Sequence, residues 1–254
     1  VCTDDAGVRA VLPELGRATV TYGLEAGADV RASDVSFERD ASRFTVHRAG
    51  RDPIDVTLGL PGEHNVRNAL AAIAVATDFD VPDAAVQAAL ANFGGIDRRF
   101  QALGSVTVAG GEATLVDDYG HHPTEIAATV AAARRGWPER RLVLVFQPHR
   151  FTRTNELLDD FAAVLSEVDV LVLLDVYAAG EAPIAGADGR ALARAVRQRG
   201  AVEPVCVEET AALPETLARV LEDRDLVLTM GAGDVGTLAR RLPKALAEAV
   251  AALQ

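Results

Sequence analysis

A short run of acidic, aromatic and imidazole side chains, D-D-Y-G-H-H-P at residues 117–123, is the strongest candidate for chemistry in this chain. Carboxylates and imidazoles so close together can bind a metal, exchange protons or orient a substrate. A plain helix N-terminus is the alternative, because Pro123 suits the first helical position and acidic residues favour the positive end of the helix dipole. That alternative leaves Tyr119 and the adjacent histidines unexplained, so the run favours a functional site.

A second run, H-R-F-T-R at residues 149–153, places two arginines three positions apart where a helix is expected to begin. The guanidinium forks of Arg150 and Arg153 suit a carboxylate or a phosphate. A solvated basic helix start is the alternative. Cations at a helix N-terminus oppose the helix dipole, so this placement favours an anionic ligand.

Amide and guanidinium side chains form two further candidate groups. Asn65 and Asn68 lie three residues apart at a predicted helix start, where they could read a base edge, although capping needs only one of them. Arg98 and Arg99 lie near the predicted junction of two domains. An interdomain ligand and an interdomain salt bridge would each explain this pair.

A glycine motif, G-A-G-D-V-G at residues 231–236, lies between a predicted strand and a predicted helix. It could cradle a pyrophosphate, which makes an NAD-dependent oxidoreductase one alternative function. The motif follows the last predicted strand, with no later strand to supply the acid that binds ribose. A tight turn between strand and helix therefore fits better.

The elements that must position these residues change in character near residue 100. Before it, strands with alternating polarity are expected at 17–23, 33–38, 43–47 and 54–58, with helices at 4–15, 65–77 and 82–92. After it, continuous apolar strands alternate with amphipathic helices, which predicts a mostly parallel sheet covered on both faces. Its strands are expected at 113–116, 142–146, 170–174, 205–207 and 226–230, and its helices at 123–135, 154–167, 188–199, 212–222 and 236–252. The fold class is α/β, and three polar loops follow strands at the carboxyl edge, where such sheets bind ligands.

Composition excludes several classes of partner. The 254 residues have a net charge of −12, which opposes binding to a nucleic-acid backbone or an anionic membrane. No apolar run approaches the roughly 20 residues that a membrane-spanning helix needs. Cys2 and Cys206 offer neither a disulfide framework nor the spacing of zinc ligands, so we expect a cytoplasmic protein.

Five ordered segments resemble the muramyl ligases, ATP-dependent enzymes that add amino acids to UDP-N-acetylmuramate in cell-wall synthesis. The segments are G-E-H-N-V-R-N (62–68), D-R-R-F (97–100), D-D-Y-G-H-H-P-T-E (117–125), F-Q-P-H-R-F-T-R-T (146–154) and V-Y-A-A-G-E-A-P-I-x-G-A-D (176–188). The last two favour the branch of the family that adds L-alanine. The third is shared with the branch that recycles murein tripeptide, which is one alternative; a stand-alone nucleotide-binding module is another.

The resemblance implies a domain organisation for the chain. Residues 1–99 would be the C-terminal part of a central ATP-binding domain, mixed α/β with antiparallel strands, and residues 100–254 a Rossmann-like ligase domain. The UDP-binding domain, the P-loop and the Mg²⁺ ligands would lie in missing residues of the same enzyme, with no metal ligands here. Lys244 is the only lysine and follows Arg241-Leu242-Pro243, so it belongs to no P-loop, and we expect this polypeptide alone to be inactive.

The resemblance also implies roles for individual residues in binding ATP, UDP-N-acetylmuramate and L-alanine. The family reaction passes through an acyl phosphate and depends on positioning and charge neutralisation. By motif, the residues expected to contact ATP are Asn65, Asn68, Arg99, Asp118 and Tyr119. Those expected to face the muramoyl substrate and L-alanine are His121, His149, Arg150 and Arg153. Asp118, Arg99 and His121 are the expected catalytic residues.

Overall fold

The computed structural model describes residues 1–38 and 41–253, which fold into two compact units, Val1–Gly95 and Ile96–Gln254. The α/β class predicted from the sequence is confirmed in both units. Among the described residues, no helix is both long and apolar enough to cross a membrane.

The first unit is a four-stranded sheet with helices packed on it. Its strands are β1 (Tyr22–Gly23), β2 (Val30–Phe37), β3 (Ser42–Arg48) and β4 (Arg51–Leu58), in the spatial order β1-β2-β3-β4. β1 pairs parallel to β2, and the other two pairings are antiparallel. The helices are α1 (Ala6–Val11), α2 (Glu63–Asp78) and α3 (Asp83–Ala91). Val66, Leu70 and Ile73 of α2 form the core with Phe44 and Val46 of β3.

Two expectations for the first unit are wrong in extent. The strand expected at 17–23 is reduced to Tyr22–Gly23. The helix expected from Asp4 to Leu15 ends at Val11 and continues only as a 3₁₀ turn, Leu12–Glu14. Pro13 explains the second difference, because proline has no N–H for the α-helical hydrogen bond and crowds the preceding turn.

The second unit is a six-stranded sheet with helices on both faces. Its strands are β5 (Gln101–Val108), β6 (Gly111–Asp118), β7 (Leu142–Phe146), β8 (Val170–Leu174), β9 (Val205–Val207) and β10 (Leu226–Met230). The spatial order is β5-β6-β10-β7-β8-β9, with β5 antiparallel to β6 and every other pair parallel. The helices are α4 (Pro123–Gly136), α5 (Phe151–Glu156), α6 (Leu158–Leu165), α7 (Gly189–Arg199), α8 (Leu213–Val220) and α9 (Val235–Leu253).

Side chains of each central strand alternate between two apolar layers. In β7, Leu142, Leu144 and Phe146 join one layer with α4, α6 and α7, whereas Val143 and Val145 join the other with α8 and α9. Burial on both faces accounts for the continuous apolar runs that predicted these strands.

The sequence did not predict β5, and it merged two helices into one. β5 is an edge strand in which only Val106 and Val108 are buried, so it lacks the apolar run of the central strands. The helix expected at 154–167 is divided into α5 and α6 at Leu157, whose φ of −115° and ψ of 25° lie outside the helical range.

Candidate functional site

The polar loops of the second unit meet at one edge of its sheet. Parallel strands β6, β10, β7 and β8 all end there, so the loops that follow them are neighbours. Because β10 lies between β6 and β7, the glycine motif at 231–236 lies between the D-D-Y-G-H-H-P loop and the P-H-R loop. The structure therefore brings together three segments that the sequence singled out separately.

Asp118 closes the turn that follows β6. Its side chain is buried, and its two carboxylate oxygens accept hydrogen bonds from Phe100 N (2.8 Å) and Gly120 N (2.7 Å). Burial raises the pKa of Asp118 above its usual range; the two N–H donors and the Arg99 charge oppose this shift without cancelling it. Asp118 thus holds the turn at Tyr119 and Gly120 against the backbone of Phe100.

Arg98 and the buried Asp117 form an ion pair next to the same loop. Arg98 Nε lies 2.8 Å from Asp117 Oδ2, and Nη2 donates to the carbonyl oxygen of Gly231 at 2.6 Å. Thr229 Oγ1 donates to the other oxygen of Asp117 at 2.7 Å. This pair ties the end of β6 to the end of β10. The sequence placed Arg98 beside Arg99 in one candidate pair, but it did not reveal these partners of Arg98, because they are distant in the chain.

The ring of Tyr119 lies close to two guanidinium groups. The ring is 38% exposed, and the Cζ atoms of Arg98 and Arg99 lie 5.1 and 5.7 Å from its centroid, within the range of cation–π contacts. Arg99 is 45% exposed and lies 4.0 Å from Glu125 Oε1. Arg99 is therefore placed to meet an anion from solvent.

The two adjacent histidines have different roles. His122 caps α4: its Nδ1 accepts from Thr124 N at 3.3 Å, and Glu125 accepts from His122 N at 3.2 Å. This is the capping box of a helix start. His121 instead lies over the edge of the sheet, with Nδ1 3.5 Å from Glu125 Oε2. The helix-start alternative thus explains His122 and leaves His121 for the site.

Glu125 is a partner of His121 that the sequence did not select. Its partial burial acts to raise its pKa, but the N–H groups of His121 and His122 and the charges of His121 and Arg99 outweigh burial, so the pKa of Glu125 lies below its usual range. An ionised carboxylate beside His121 orients that imidazole.

The loop after β7 supplies an imidazole and two guanidinium groups. Burial lowers the pKa of His149, and the nearby positive charges of His121, Arg153 and Arg150 lower it further, against the opposing charge of Glu181. Arg153 Nη1 lies 3.4 Å from His149 Nδ1. Arg150 is half-exposed, and its Nη1 lies 3.9 Å from Glu181 Oε1. Two guanidinium groups and an imidazole with a lowered pKa therefore share this corner.

Four rings connect the loops after β6, β7 and β8 in a continuous series, here called the ring row: Tyr119, His121, His149 and Tyr177. Successive ring centroids are 5.3, 5.6 and 5.7 Å apart. The sequence gave roles to the first three, and Tyr177 was present only within the V-Y-A-A-G-E segment. The ring row joins the two candidate motifs into one surface.

Side chains from elsewhere in this protein occupy the space around the glycine motif. A Cβ added at Gly233 would collide with Tyr177 and Gln147, and one at Gly236 would collide with the Arg98 guanidinium. Gly231 has a φ of +145°, and a Cβ there would lie 2.6 Å from Gln147 O. Gln147 also clamps the loop, donating to Asp234 Oδ1 (2.6 Å) and accepting from Val235 N (3.1 Å). These contacts favour the tight-turn interpretation over a dinucleotide cradle.

The two candidate asparagines lie in the first unit and in different surroundings. Asn65 is buried, and its Nδ2 donates to Pro61 O at 2.7 Å. Asn68, one helical turn later, is exposed. Only Asn68 therefore offers an amide to solvent.

No metal-binding cluster is present in the described part of the chain, where no group of three or more His, Cys, Asp or Glu side chains is arranged to hold an ion.

Comparisons with known proteins agree with this architecture. Residues 98–233 match the family model described as Mur ligase, glutamate ligase domain, and residues 1–76 match the Mur ligase middle domain. The chain is similar to the UDP-N-acetylmuramate–alanine ligase MurC of Thermotoga maritima, with 26% identity, a TM-score of 0.74, and coverage of 93% of this chain and 49% of that one.

Two further solved structures share the fold. A murein peptide ligase of Psychrobacter arcticus is 22% identical, with a TM-score of 0.64 and coverage of 94% and 49% of the two chains. The MurF ligase of Thermotoga maritima, solved with ADP, is 17% identical, with a TM-score of 0.68 and coverage of 99% and 53%. The chain thus spans about half the length of each of these structures. Because one family model alone matches more than half of its residues, this chain belongs to the Mur ligase family, whose members are ATP-dependent ligases.

Proposed function

We propose that this chain is the C-terminal half of a ligase that uses ATP to join L-alanine to UDP-N-acetylmuramate. Residues 1–99 would complete the central ATP-binding domain, and residues 100–254 would form the ligase domain. The ring row with its flanking arginines is the observation that most supports this function, since it places aromatic faces, imidazoles and guanidinium groups along one edge.

The end of the ring row at Tyr119 suits a nucleotide. Its exposed ring face would pack against the nucleotide while Arg99 neutralises phosphate charge. Asp118 would act by holding the turn that presents Tyr119. Asn68 would add an exposed amide for adenine, whereas the amide of Asn65 is already used within its own helix start.

The other end of the ring row, at His149 and Tyr177, suits the two carboxylic acids that react, L-alanine and the muramoyl group. Arg150 and Arg153 would bind the carboxylate of L-alanine, with His121 and His149 facing the reacting groups. In the proposed reaction, the muramate carboxylate attacks the γ-phosphate and releases ADP. The alanine amine then attacks the acyl carbon, phosphate leaves, and the amine loses a proton to give the amide.

The chemical contribution of these residues is positioning and charge neutralisation. Mg²⁺, when bound, would neutralise phosphate charge, and its ligands would lie in the part of the enzyme outside this chain. The same holds for the P-loop lysine, because Lys244 of α9 follows Pro243 and lacks a glycine-rich loop. A cytoplasmic location fits substrates of this kind.

The test is amide formation by the enzyme that contains this chain, measured as product mass and phosphate release. Supplied with ATP and UDP-N-acetylmuramate, the enzyme should release phosphate when L-alanine is added. Murein tripeptide in place of L-alanine should give little product. Product from tripeptide and none from L-alanine would instead show the recycling ligase, which shares the D-D-Y-G-H-H-P segment. Turnover of NADH without ATP would contradict both.

A further inference from the structure

We infer that Tyr177 is a positioning residue whose ring fixes the plane of the His149 imidazole and shields one of its faces from water. The two rings are nearly parallel, with an interplanar angle of 11° and centroids 5.7 Å apart. No sequence motif assigned Tyr177 a role of its own. For its activity readout, this inference rests on the function proposed above.

The backbone holds Tyr177 and His149 in register. Tyr177 N donates to Pro148 O at 2.8 Å, and Arg150 N donates to Tyr177 O at 2.9 Å. These two hydrogen bonds flank His149 and pair the loop after β7 with the loop after β8. His149 and Tyr177 are thus partners in a short parallel bridge, and their side chains stack across it.

The glycine motif packs against the base of the Tyr177 side chain. A Cβ at Gly233 would lie 2.7 Å from Tyr177 Cγ and 2.8 Å from Tyr177 Cβ, so only glycine leaves room for the ring here. Gln147 holds the loop of Gly233 through Asp234 and Val235. Tyr177 is 41% exposed; the base of its side chain packs against the clamped glycine loop, and its ring lies parallel to the imidazole.

This packing contributes to the lowered pKa of His149. Burial is the main cause of its lowered pKa, and the Tyr177 ring is part of that burial. His121, Arg150 and Arg153 face the imidazole with positive charge, and Glu181 faces it with negative charge. A guanidinium has no acceptor, so the contact of Arg153 with Nδ1 also favours an unprotonated Nδ1. Tyr177 therefore helps to keep His149 neutral among cations.

The test compares Tyr177→Ala with Tyr177→Phe in the enzyme that contains this chain. The pKa of His149 is measured by NMR titration with labelled histidine, and the His149 signal is identified by its loss in His149→Gln. Tyr177→Ala admits water to the imidazole face, so the pKa of His149 should rise by about half a pH unit or more. Tyr177→Phe keeps the ring and should keep the pKa of the unmodified protein.

The same variants have a kinetic signature. If neutral His149 is the active form, the acid limb of the pH profile of kcat/KM should move to higher pH in Tyr177→Ala, in step with the NMR pKa. Tyr177→Leu, which retains apolar bulk beside Gly233 without a flat face, replaces the alanine variant if that protein does not fold. In Tyr177→Leu, we expect the same upward shift of the His149 pKa and of the acid limb.

Two results would overturn the inference. One is an unchanged His149 pKa in both Tyr177→Ala and Tyr177→Leu; the other is a Tyr177→Phe protein whose His149 pKa rises as in the alanine variant. Because the titration needs no substrate, it separates this inference from the proposed function. If the His149 pKa shifts in the Tyr177 variants but the enzyme has no ligase activity, only the proposed function is contradicted. If the enzyme is an active ligase and the His149 pKa does not shift, only the role of Tyr177 is contradicted.

Discussion

Neighbouring residues at the sheet edge have separate tasks, and the two adjacent arginines show this most clearly. Arg98 is 15% exposed, and its guanidinium binds Asp117 and the carbonyl of Gly231. Arg99 is 45% exposed and is 4.0 Å from the nearest oxygen of Glu125. The Arg98 guanidinium therefore makes its contacts within the protein, whereas the Arg99 side chain is partly exposed to solvent.

The two arginines should respond differently to removal. Arg99→Ala should lower turnover by about 10²-fold or more, the scale of losing one positioned electrostatic group. Its free energy of unfolding should change by no more than about 0.5 kcal/mol, because the side chain is largely exposed. Arg98→Ala should destabilise the protein by roughly 3 kcal/mol, because it leaves the Asp117 carboxylate buried without its charge partner.

Steady-state kinetics and urea unfolding check both arginine variants. Arg194→Ala, which removes an exposed arginine from α7, controls for the loss of one positive charge. Near-normal turnover in Arg99→Ala, or an unchanged unfolding free energy in Arg98→Ala, would contradict the division of tasks.

At the scale of elements, the order of the strands decides which loops meet. β10 is the last strand in the chain but lies between β6 and β7 in the sheet. Its glycine loop is therefore placed between the two loops that hold the ring row. The start of α9 supports this placement, because the missing Cβ of Gly236 makes room for Arg98.

A double-mutant cycle tests the contact between α9 and Arg98. Gly236→Ala should destabilise the protein by about 1–3 kcal/mol, since the new methyl group displaces the Arg98 guanidinium from Asp117. In an Arg98→Ala background the same change should be neutral or favourable by up to about 1 kcal/mol, because alanine is the better helix residue. The measurement is the coupling free energy from urea unfolding. Additive effects of the two substitutions would show that the missing Cβ of Gly236 is not needed to accommodate Arg98.

At the scale of the whole molecule, each unit has its own core and an ion pair in which one partner is buried. In the first unit, Arg48 is a buried side chain that projects from β3 and makes two hydrogen bonds, of 2.7 and 2.8 Å, to Asp83 at the start of α3. Those hydrogen bonds are the main reason that the pKa of Asp83 lies below its usual range. The pair links the sheet of this unit to a helix that follows it.

Loss of the Asp83 carboxylate should therefore destabilise the first unit in a pH-dependent way. Asp83→Ala should cost roughly 2–3 kcal/mol at neutral pH, less than a fully buried pair because Asp83 is 32% exposed. A lowered carboxylate pKa stabilises the fold above the ordinary pKa of aspartate, and this stabilisation is lost as the pH falls through the folded pKa.

The difference between Asp83→Ala and the unmodified protein should therefore shrink as the pH falls below about 4. Urea unfolding followed by circular dichroism at a series of pH values measures it. Glu38→Ala, which breaks the exposed pair with Arg43, is the matched control and should change the unfolding free energy by no more than about 1 kcal/mol. A pH-independent penalty in Asp83→Ala would contradict the ion-pair explanation.

The sequence by itself determined the α/β class and most central strands, because a strand buried on both faces is an apolar run that depends only on neighbouring residues. It also determined that polar loops follow those strands, and hence that they share one edge. The sequence motifs resembled those of the muramyl ligases, and the comparisons show that the chain belongs to the Mur ligase family. The proposed roles of the individual site residues remain predictions.

Only the tertiary structure decided how the residues of that edge are divided between support and exposure. Arg98 meets Asp117 and Gly231, and Tyr177 meets His149 and Gly233, because the sheet order brings together segments far apart in the chain. The edge strand β5 and the helix cap formed by His122 were also visible only in the tertiary structure. Such contacts depend on strand pairing and on the space left by glycines, and neither leaves a pattern among adjacent residues.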